Sequence, residues 1–233
     1  TMQHDIVLKN GRLLDPSRVH VKVMGNGIDA AFFDPARAAT HPVLAAREGP
    51  HFVFTGQMDY RPNEQAAIWA ITALLPALRA RWPGAEVHIV GRAPTRELLA
   101  LQGIEGAAIW GEVPDVRPFL AAADAVIAPL MIARGVQNKV LEAMAMARPV
   151  LLTPEAATGI AASDGAEWLV ERADPQAMAA RAAALLDDPE RARALGMAAR
   201  RFVLARHDWS AMLAPLGELV TGAPEREAPR DAA

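Results

Sequence analysis

The run Ala125-Val126-Ile127-Ala128-Pro129-Leu130-Met131-Ile132-Ala133-Arg134-Gly135-Val136-Gln137-Asn138-Lys139-Val140-Leu141-Glu142-Ala143-Met144-Ala145-Met146-Ala147-Arg148-Pro149-Val150-Leu151-Leu152 decides how the chain folds. Four apolar residues stop at a proline, as a strand does on leaving a sheet. A glycine-containing loop follows, then a stretch of helix formers from Asn138 to Ala147, then a second apolar run from Pro149 to Leu152. Strand, helix and strand in that order predict a βαβ unit with parallel strands.

The alternation continues outward. β-rich runs lie at Phe52 to Phe54, Glu86 to Val90 and Ala107 to Trp110. Between them, Asn63 to Trp82, Thr95 to Gln102 and Val116 to Ala123 are Ala/Leu/Arg-rich and long enough for helices. The strands are nearly continuous apolar runs, so both faces of the sheet should be covered. The expected fold class is α/β, a doubly wound parallel sheet of the Rossmann-like kind. Asn63 ahead of Glu64 reads as a helix cap, with Pro83-Gly84 closing that helix. Asp174-Pro175 and Asp188-Pro189-Glu190 open two further helices, the second running to Arg206. A last helix from Trp209 to Val220 places Met212, Leu213, Leu216 and Leu219 on one side. These readings divide the chain into 1–35 (strands at Asp5 to Leu8 and Val19 to Met24, then a linker), a domain over 36–207, a helix over 208–221 and a flexible tail over 222–233.

Composition narrows the function. Of 233 residues, 52% are hydrophobic and 22% charged, so a full core can form. A net charge of −3, from 24 basic and 27 acidic residues, supplies no field for nucleic acid or an anionic membrane. Cysteine is absent, which excludes disulfide scaffolds and thiolate metal sites. The six histidines are dispersed without metal-ligand spacing. No apolar run is long enough to span a membrane, Leu120 to Ala133 being broken by Asp124 and Pro129. The expected location is the cytoplasm.

Gly56, Gly91, Gly111 and Pro129 each follow a strand, and in an open parallel sheet such turns meet at the carboxyl edge where ligands bind. Lys139 falls in the first turn of a helix, where the positive end of the helix dipole disfavours a cation. Its presence there, with Arg134 just ahead, makes sense against an anion such as a diphosphate; a solvated basic surface is the other reading. Glu142, three residues on, shares its helix face. It is either the partner of Lys139 in an intrahelical ion pair or an acceptor for sugar hydroxyls.

Lys139-Val140-Leu141-Glu142-Ala143-Met144-Ala145 with Arg148-Pro149-Val150 resembles the signature of retaining GT-B glycosyltransferases of family 4. Phe54-Thr55-Gly56-Gln57-Met58-Asp59-Tyr60-Arg61-Pro62-Asn63 looks like the subgroup that makes exopolysaccharides. Val90-Gly91-Arg92, Gly111-Glu112-Val113-Pro114-Asp115-Val116 and the run from Ala123-Asp124 to Pro129 match the family in order. Asn26-Gly27-Ile28-Asp29 with Phe33 and Pro35 resembles its interdomain linker. The resemblance implies the C-terminal, nucleotide-sugar-binding half of such an enzyme, acting with retention and without a protein-bound metal or other cofactor.

By that resemblance Glu142 is the second Glu of a Glu-x7-Glu pattern and holds the ribose; Arg134 stands where the first Glu falls. Arg134 and Lys139 would serve the diphosphate, and Gly135 and Val136 would offer backbone N–H groups to the sugar. Gly56, Arg61, Arg92, Glu112, Val113, Gln137 and Asn138 complete the expected binding set. Of the usual cation pair after the first strand, Arg61 is present and Pro62-Asn63 stand near the expected lysine. The partners implied are a nucleotide-sugar and, through an N-terminal domain absent here, a glycan or lipid-linked acceptor at the inner membrane face. The domain alone would not turn over. The alternatives are a non-catalytic nucleotide-sugar-binding module and a vestigial interaction domain. Separately, Asp5 to Ser17 resembles the opening strands of cyclic amidohydrolases; the metal-binding His-x-His of those enzymes does not follow, and no hydrolase activity is expected.

Overall fold

The computed structural model describes residues 26–214, together with the antiparallel pairing of β1 (Leu8–Lys9) and β2 (Arg12–Leu13). The expected strand at Val19 to Met24, the end of the last helix and the tail over 222–233 lie outside the described residues.

Six parallel strands form the main sheet: β3 (His51–Thr55), β4 (Glu86–Val90), β5 (Ala107–Gly111), β6 (Ala125–Ala128), β7 (Val150–Leu152) and β8 (Leu169–Val170). They lie in the order β5-β4-β3-β6-β7-β8, so the chain winds outward from β3 and then returns to begin again beside it. This is the strand order of a Rossmann sheet, with its topological switch point between β3 and β6. Every residue of β3 and β6 is buried, because helices cover both faces.

The helices are α1 (Pro42–Ala45), α2 (Arg61–Trp69), α3 (Leu75–Arg81), α4 (Arg96–Leu99), α5 (Arg117–Ala122), α6 (Asn138–Ala145), α7 (Pro175–Leu186) and α8 (Pro189–Arg206). Three departures from the sequence reading have local causes. Asn63 does not cap α2. The cap is Tyr60, and Arg61-Pro62 already form the first turn, where a proline is tolerated. Asn63 is buried inside the helix instead. Between α2 and α3 the helix widens into a π turn at Ala70–Leu74, since Pro76 has no N–H to give to the carbonyl four residues back. The helix expected over Thr95 to Gln102 is a single turn, α4, held by the Thr95 hydroxyl accepting from the Leu98 N–H at 3.2 Å. Asp174 and Asp188 do cap α7 and α8 through their side chains.

After α8 the chain returns to the linker. The Ile28 N–H donates to the His207 carbonyl at 2.7 Å, and Trp209 packs flat against Gly27. Trp209 and Leu213, in the helical stretch that follows, stay 49% and 44% exposed, so this helix leaves part of its apolar side uncovered. Residues 26–28 and 207–209 therefore run side by side. Among the described residues no helix is long and apolar enough to cross a membrane.

Candidate functional site

The carboxyl ends of β3, β4 and β5 and the first turn of α6 enclose a cleft of about 460 Å³ at the switch point. Gly91 lets two of these ends meet, since a Cβ there would lie 1.6 Å from the carbonyl oxygen of Gly56. The Gly91 N–H in turn donates to the Gly111 carbonyl at 2.8 Å. The loop after β3 is pinned to the loop after β4 by the Met58 N–H on the Arg92 carbonyl (2.9 Å) and by Arg92 Nη2 on Gln57 Oε1 (2.6 Å).

Gly56, Arg92, Glu112, Val113, Val136, Asn138, Lys139 and Glu142 line this cleft. The structure leaves Arg61, Arg134, Gly135 and Gln137 outside its wall. Arg61 opens α2 facing solvent, and Arg134 and Gly135 are exposed in the loop between β6 and α6. Gln137 turns its amide onto the Gly135 carbonyl at 3.1 Å. Asn138 is tied outward, its Oδ1 accepting from Asn26 Nδ2 of the linker at 2.9 Å.

Lys139 is 9% exposed, and its Nζ reaches from α6 to α2, where it donates to Asn63 Oδ1 at 2.5 Å. It also lies 4.5 Å from the centre of the Phe54 ring. Among the described residues no carboxylate comes within ion-pair distance of Lys139, so its partner is the Asn63 amide and not Glu142. Burial pushes the ammonium down to about 7, with Glu142 pulling weakly the other way. Burial also raises the Glu142 carboxyl, partly offset by Lys139. Helix α6 begins at Gln137 without a side-chain cap, which leaves its first N–H groups open to a ligand. The site therefore offers an anion one buried cation and a helix N-terminus, with a partly buried carboxylate one turn deeper.

Thr55, Gln57, Asn63, Val90, Gly91 and Val116 line the cleft beyond the expected binding set. Thr55 is 4% exposed, and its Oγ1 has no hydrogen-bond partner although it lines the cleft. Its place directly before Gly56 was the only signal available.

The histidines are less dispersed than their spacing suggests. His51 Nδ1 lies 3.1 Å from His88 Nε2, and Glu86 Oε2 is 3.7 Å from the first and 3.3 Å from the second. Three ligand-type atoms thus converge at the amino edge of the sheet. Their lone pairs are already engaged. Trp110 Nε1 donates to His88 Nδ1 at 3.2 Å, which leaves the His88 proton on Nε2, facing His51. Arg47 holds both Glu86 oxygens at 3.0 Å. The trio is a hydrogen-bonded cluster and fits a metal poorly. A larger hollow of about 650 Å³ also opens at the amino edge, lined by Trp82, Met146, Arg148 and Met197. It collects neither the strand-end glycines nor the first turn of α6.

The model of the family described as "Glycosyl transferases group 1" matches residues 49–188. The phosphatidyl-myo-inositol mannosyltransferase of Mycolicibacterium smegmatis is 32% identical over 209 residues, covering 85% of this chain and 52% of that protein. The chain thus spans about half the length of this relative. Among solved structures, a glycosyltransferase from Rickettsia africae superposes with a TM-score of 0.69 at 19% identity, covering 90% of this chain and 58% of its own. The Anabaena protein HepE, solved in complex with UDP and glucose, gives 0.68 at 16% identity, covering 86% and 56%. The shared fold is the C-terminal Rossmann-like domain of the GT-B architecture.

Proposed function

The chain belongs to the group 1 glycosyl transferases, and from that premise we propose that it is the donor-binding half of a retaining, hexosyl-transferring enzyme of family 4. The cleft at the switch point takes the nucleoside diphosphate of a nucleotide-sugar. One observation carries this reading: Lys139 stands as a buried cation in the uncapped first turn of α6, with Glu142 one turn further into the same cleft.

In the proposed mechanism the diphosphate lies against Lys139 and the N–H groups at the start of α6. Negative charge grows on the diphosphate as the sugar–phosphate bond breaks, and these preorganised groups stabilise it without help from a metal. Glu142 accepts hydrogen bonds from the ribose hydroxyls. Arg134 and Arg61, both exposed and each two residues from a wall residue (Val136 and Asn63), meet the outer face of the donor. Gly135 and Val136 present backbone N–H groups towards the sugar. The acceptor, a glycan or lipid-linked sugar of exopolysaccharide or cell-surface assembly at the cytoplasmic membrane face, is read by a second domain of the kind that completes the longer relatives. Without that domain the chain binds donor and does not turn over. Binding of UDP by HepE and the membrane-lipid substrate named for the mycobacterial relative support this reading by analogy.

A thermal-shift titration with UDP, GDP, ADP and TDP tests it. A nucleotide at 100 times its Kd adds about 2.7 kcal/mol, which for a domain of this size raises Tm by roughly 5–10 °C. The expected result is a shift with one base that is lost in the Arg134→Ala, Lys139→Ala double variant. No shift with any of the four at millimolar concentration overturns the reading. Sugar transfer on adding the second domain separates an enzyme half from a binding module.

A further inference from the structure

We infer that Asn63 is a positioning residue that holds the Lys139 ammonium over the diphosphate subsite, and that Thr55 supplies a second, neutral donor to the same ligand. The inference rests on the donor-site reading above.

Lys139 starts on α6, on the far side of the switch point from α2, yet its Nζ ends beside α2. Asn63 makes that reach possible. Its amide is fixed at both ends: Nδ2 donates to the Gln57 carbonyl at 2.9 Å, which turns Oδ1 towards Lys139. At 7% exposure this is a built seat, not a surface contact. Gly56 completes it, because a Cβ there would lie 2.9 Å from Asn63 Nδ2 and 3.0 Å from Lys139 Nζ.

A neutral amide is the informative choice of partner. A carboxylate at residue 63 would offset the ammonium's charge and weaken its hold on an anion. An amide orients it and leaves its charge uncompensated. An ammonium has three donor hydrogens, and among the described residues Lys139 uses one. Thr55, on the same wall, carries a buried hydroxyl with no partner. Buried donors left unsatisfied are costly and uncommon. Their convergence in one cleft points to an anionic ligand with several acceptor oxygens. The other titratable groups facing this point are Glu142 on α6, Arg92 beyond β4 and Glu112 beyond β5; α2 contributes only Asn63.

The test measures the Kd of UDP and GDP, with inorganic pyrophosphate alongside, for the full chain between pH 6 and 9. It compares the wild type with Asn63→Leu, Asn63→Asp and Thr55→Val, and follows each folded state by its melt without nucleotide. Asn63→Leu is expected to weaken binding about tenfold at pH 6.5, the loss of one charge-orienting bond. Thr55→Val should weaken it roughly threefold to tenfold and leave the pH profile unchanged. The alkaline limb, along which affinity falls as Lys139 loses its proton, should move to lower pH in Asn63→Leu and to higher pH in Asn63→Asp. A merely structural role for Asn63 would not move that limb in opposite directions. Wild-type binding with an unmoved limb and unchanged Kd in both Asn63 variants overturns the positioning role and leaves the donor site standing. Thr55→Val alone, if it matches the wild type, removes the second donor. Failure of the wild type to bind any of the nucleotides overturns both readings together.

Discussion

The indole N–H of Trp110 donates to Nδ1 of His88 at 3.2 Å, and this bond fixes the tautomer of His88 in the cluster at the amino edge of the sheet. His88 is fully buried, and its pKa falls to about 3, chiefly because burial disfavours the charged ring and then because of His51, Arg47 and His41 nearby. The native chain keeps His88 neutral while the unfolded chain takes up a proton near pH 6.5. Stability from this group is thus complete above about pH 6.5 and drains away as pH falls towards about 3. Denaturant unfolding between pH 7.5 and 4 should show an acid limb carrying a slope of about 1.4 kcal/mol per pH unit from this one proton. In His88→Gln, which can still accept from Trp110, that contribution disappears. Equal slopes in both proteins would contradict the assignment.

The buried ammonium of Lys139 costs the fold stability. Its pKa is lowered to about 7 from 10.5, so the unfolded chain holds this proton more tightly than the native one. The native state is penalised increasingly as pH falls from about 10.5 to about 7, and uniformly below that. Lys139→Met should therefore raise the stability of the nucleotide-free chain at pH 7 by about 1–3 kcal/mol, less than the full relief because Asn63 Oδ1 loses its partner and Glu142 a nearby positive charge. The same variant should bind no nucleoside diphosphate. A destabilised Lys139→Met would show that the ammonium is worth more to the fold than its burial costs.

Ala147 sits at φ +53, a left-handed conformation unusual for a residue with a Cβ. It turns the chain from α6 into β7, and its carbonyl approaches Gly196 of α8, where a Cβ would come within 2.2 Å. Ala147→Gly relieves the strain and should stabilise the chain by about 1 kcal/mol, or ~2–4 °C in Tm. Gly196→Ala, by contrast, must push α8 off this turn and should cost more than that gain. Calorimetry on the two variants gives both signs.

Arg200 on α8 fastens the linker to the domain. Its guanidinium donates to the Phe33 carbonyl at 3.0 Å, to Asp34 Oδ1 at 3.2 Å and to the Ala145 carbonyl at the end of α6. With the Arg200 side chain 16% and the Asp34 side chain 26% exposed, solvent weakens the pair only in part. Arg200→Met should cost about 2–3 kcal/mol and speed amide exchange around Phe33 and Asp34 more than in β3. Uniform exchange changes across the sheet would place its role in the core instead.

The parts of the site that the sequence made legible are those governed by local rules. Gly56 and Gly91 follow their strands, and Lys139 and Glu142 share a face because three residues on a helix always do. Asn63 was misread for a related reason. Ahead of Glu64 it looks like a cap, but Arg61-Pro62 had already started α2, which put its amide inside the fold. That neither Arg134 nor Arg61 lines the cleft was beyond reach as well. Loop residues such as Arg134 and the exposed start of α2 at Arg61 take their direction from contacts that no periodicity encodes.

The sequence alone determined the α/β class and the place of nearly every strand and helix, because hydrophobic period, proline and cap residues act over a few neighbours. It also pointed to the carboxyl edge as the side of the sheet where the cleft opens, since strand-end glycines and the following helix starts fall there together. Only the tertiary structure decided which side chains meet. Lys139 is 76 residues from the asparagine it bonds, and His51 is 37 from His88. Pairings of that span depend on strand order and on register: the crossover that sets β6 beside β3, and the alignment of His51 with Glu86. Packing of the whole sheet selects these, and no local signal carries them.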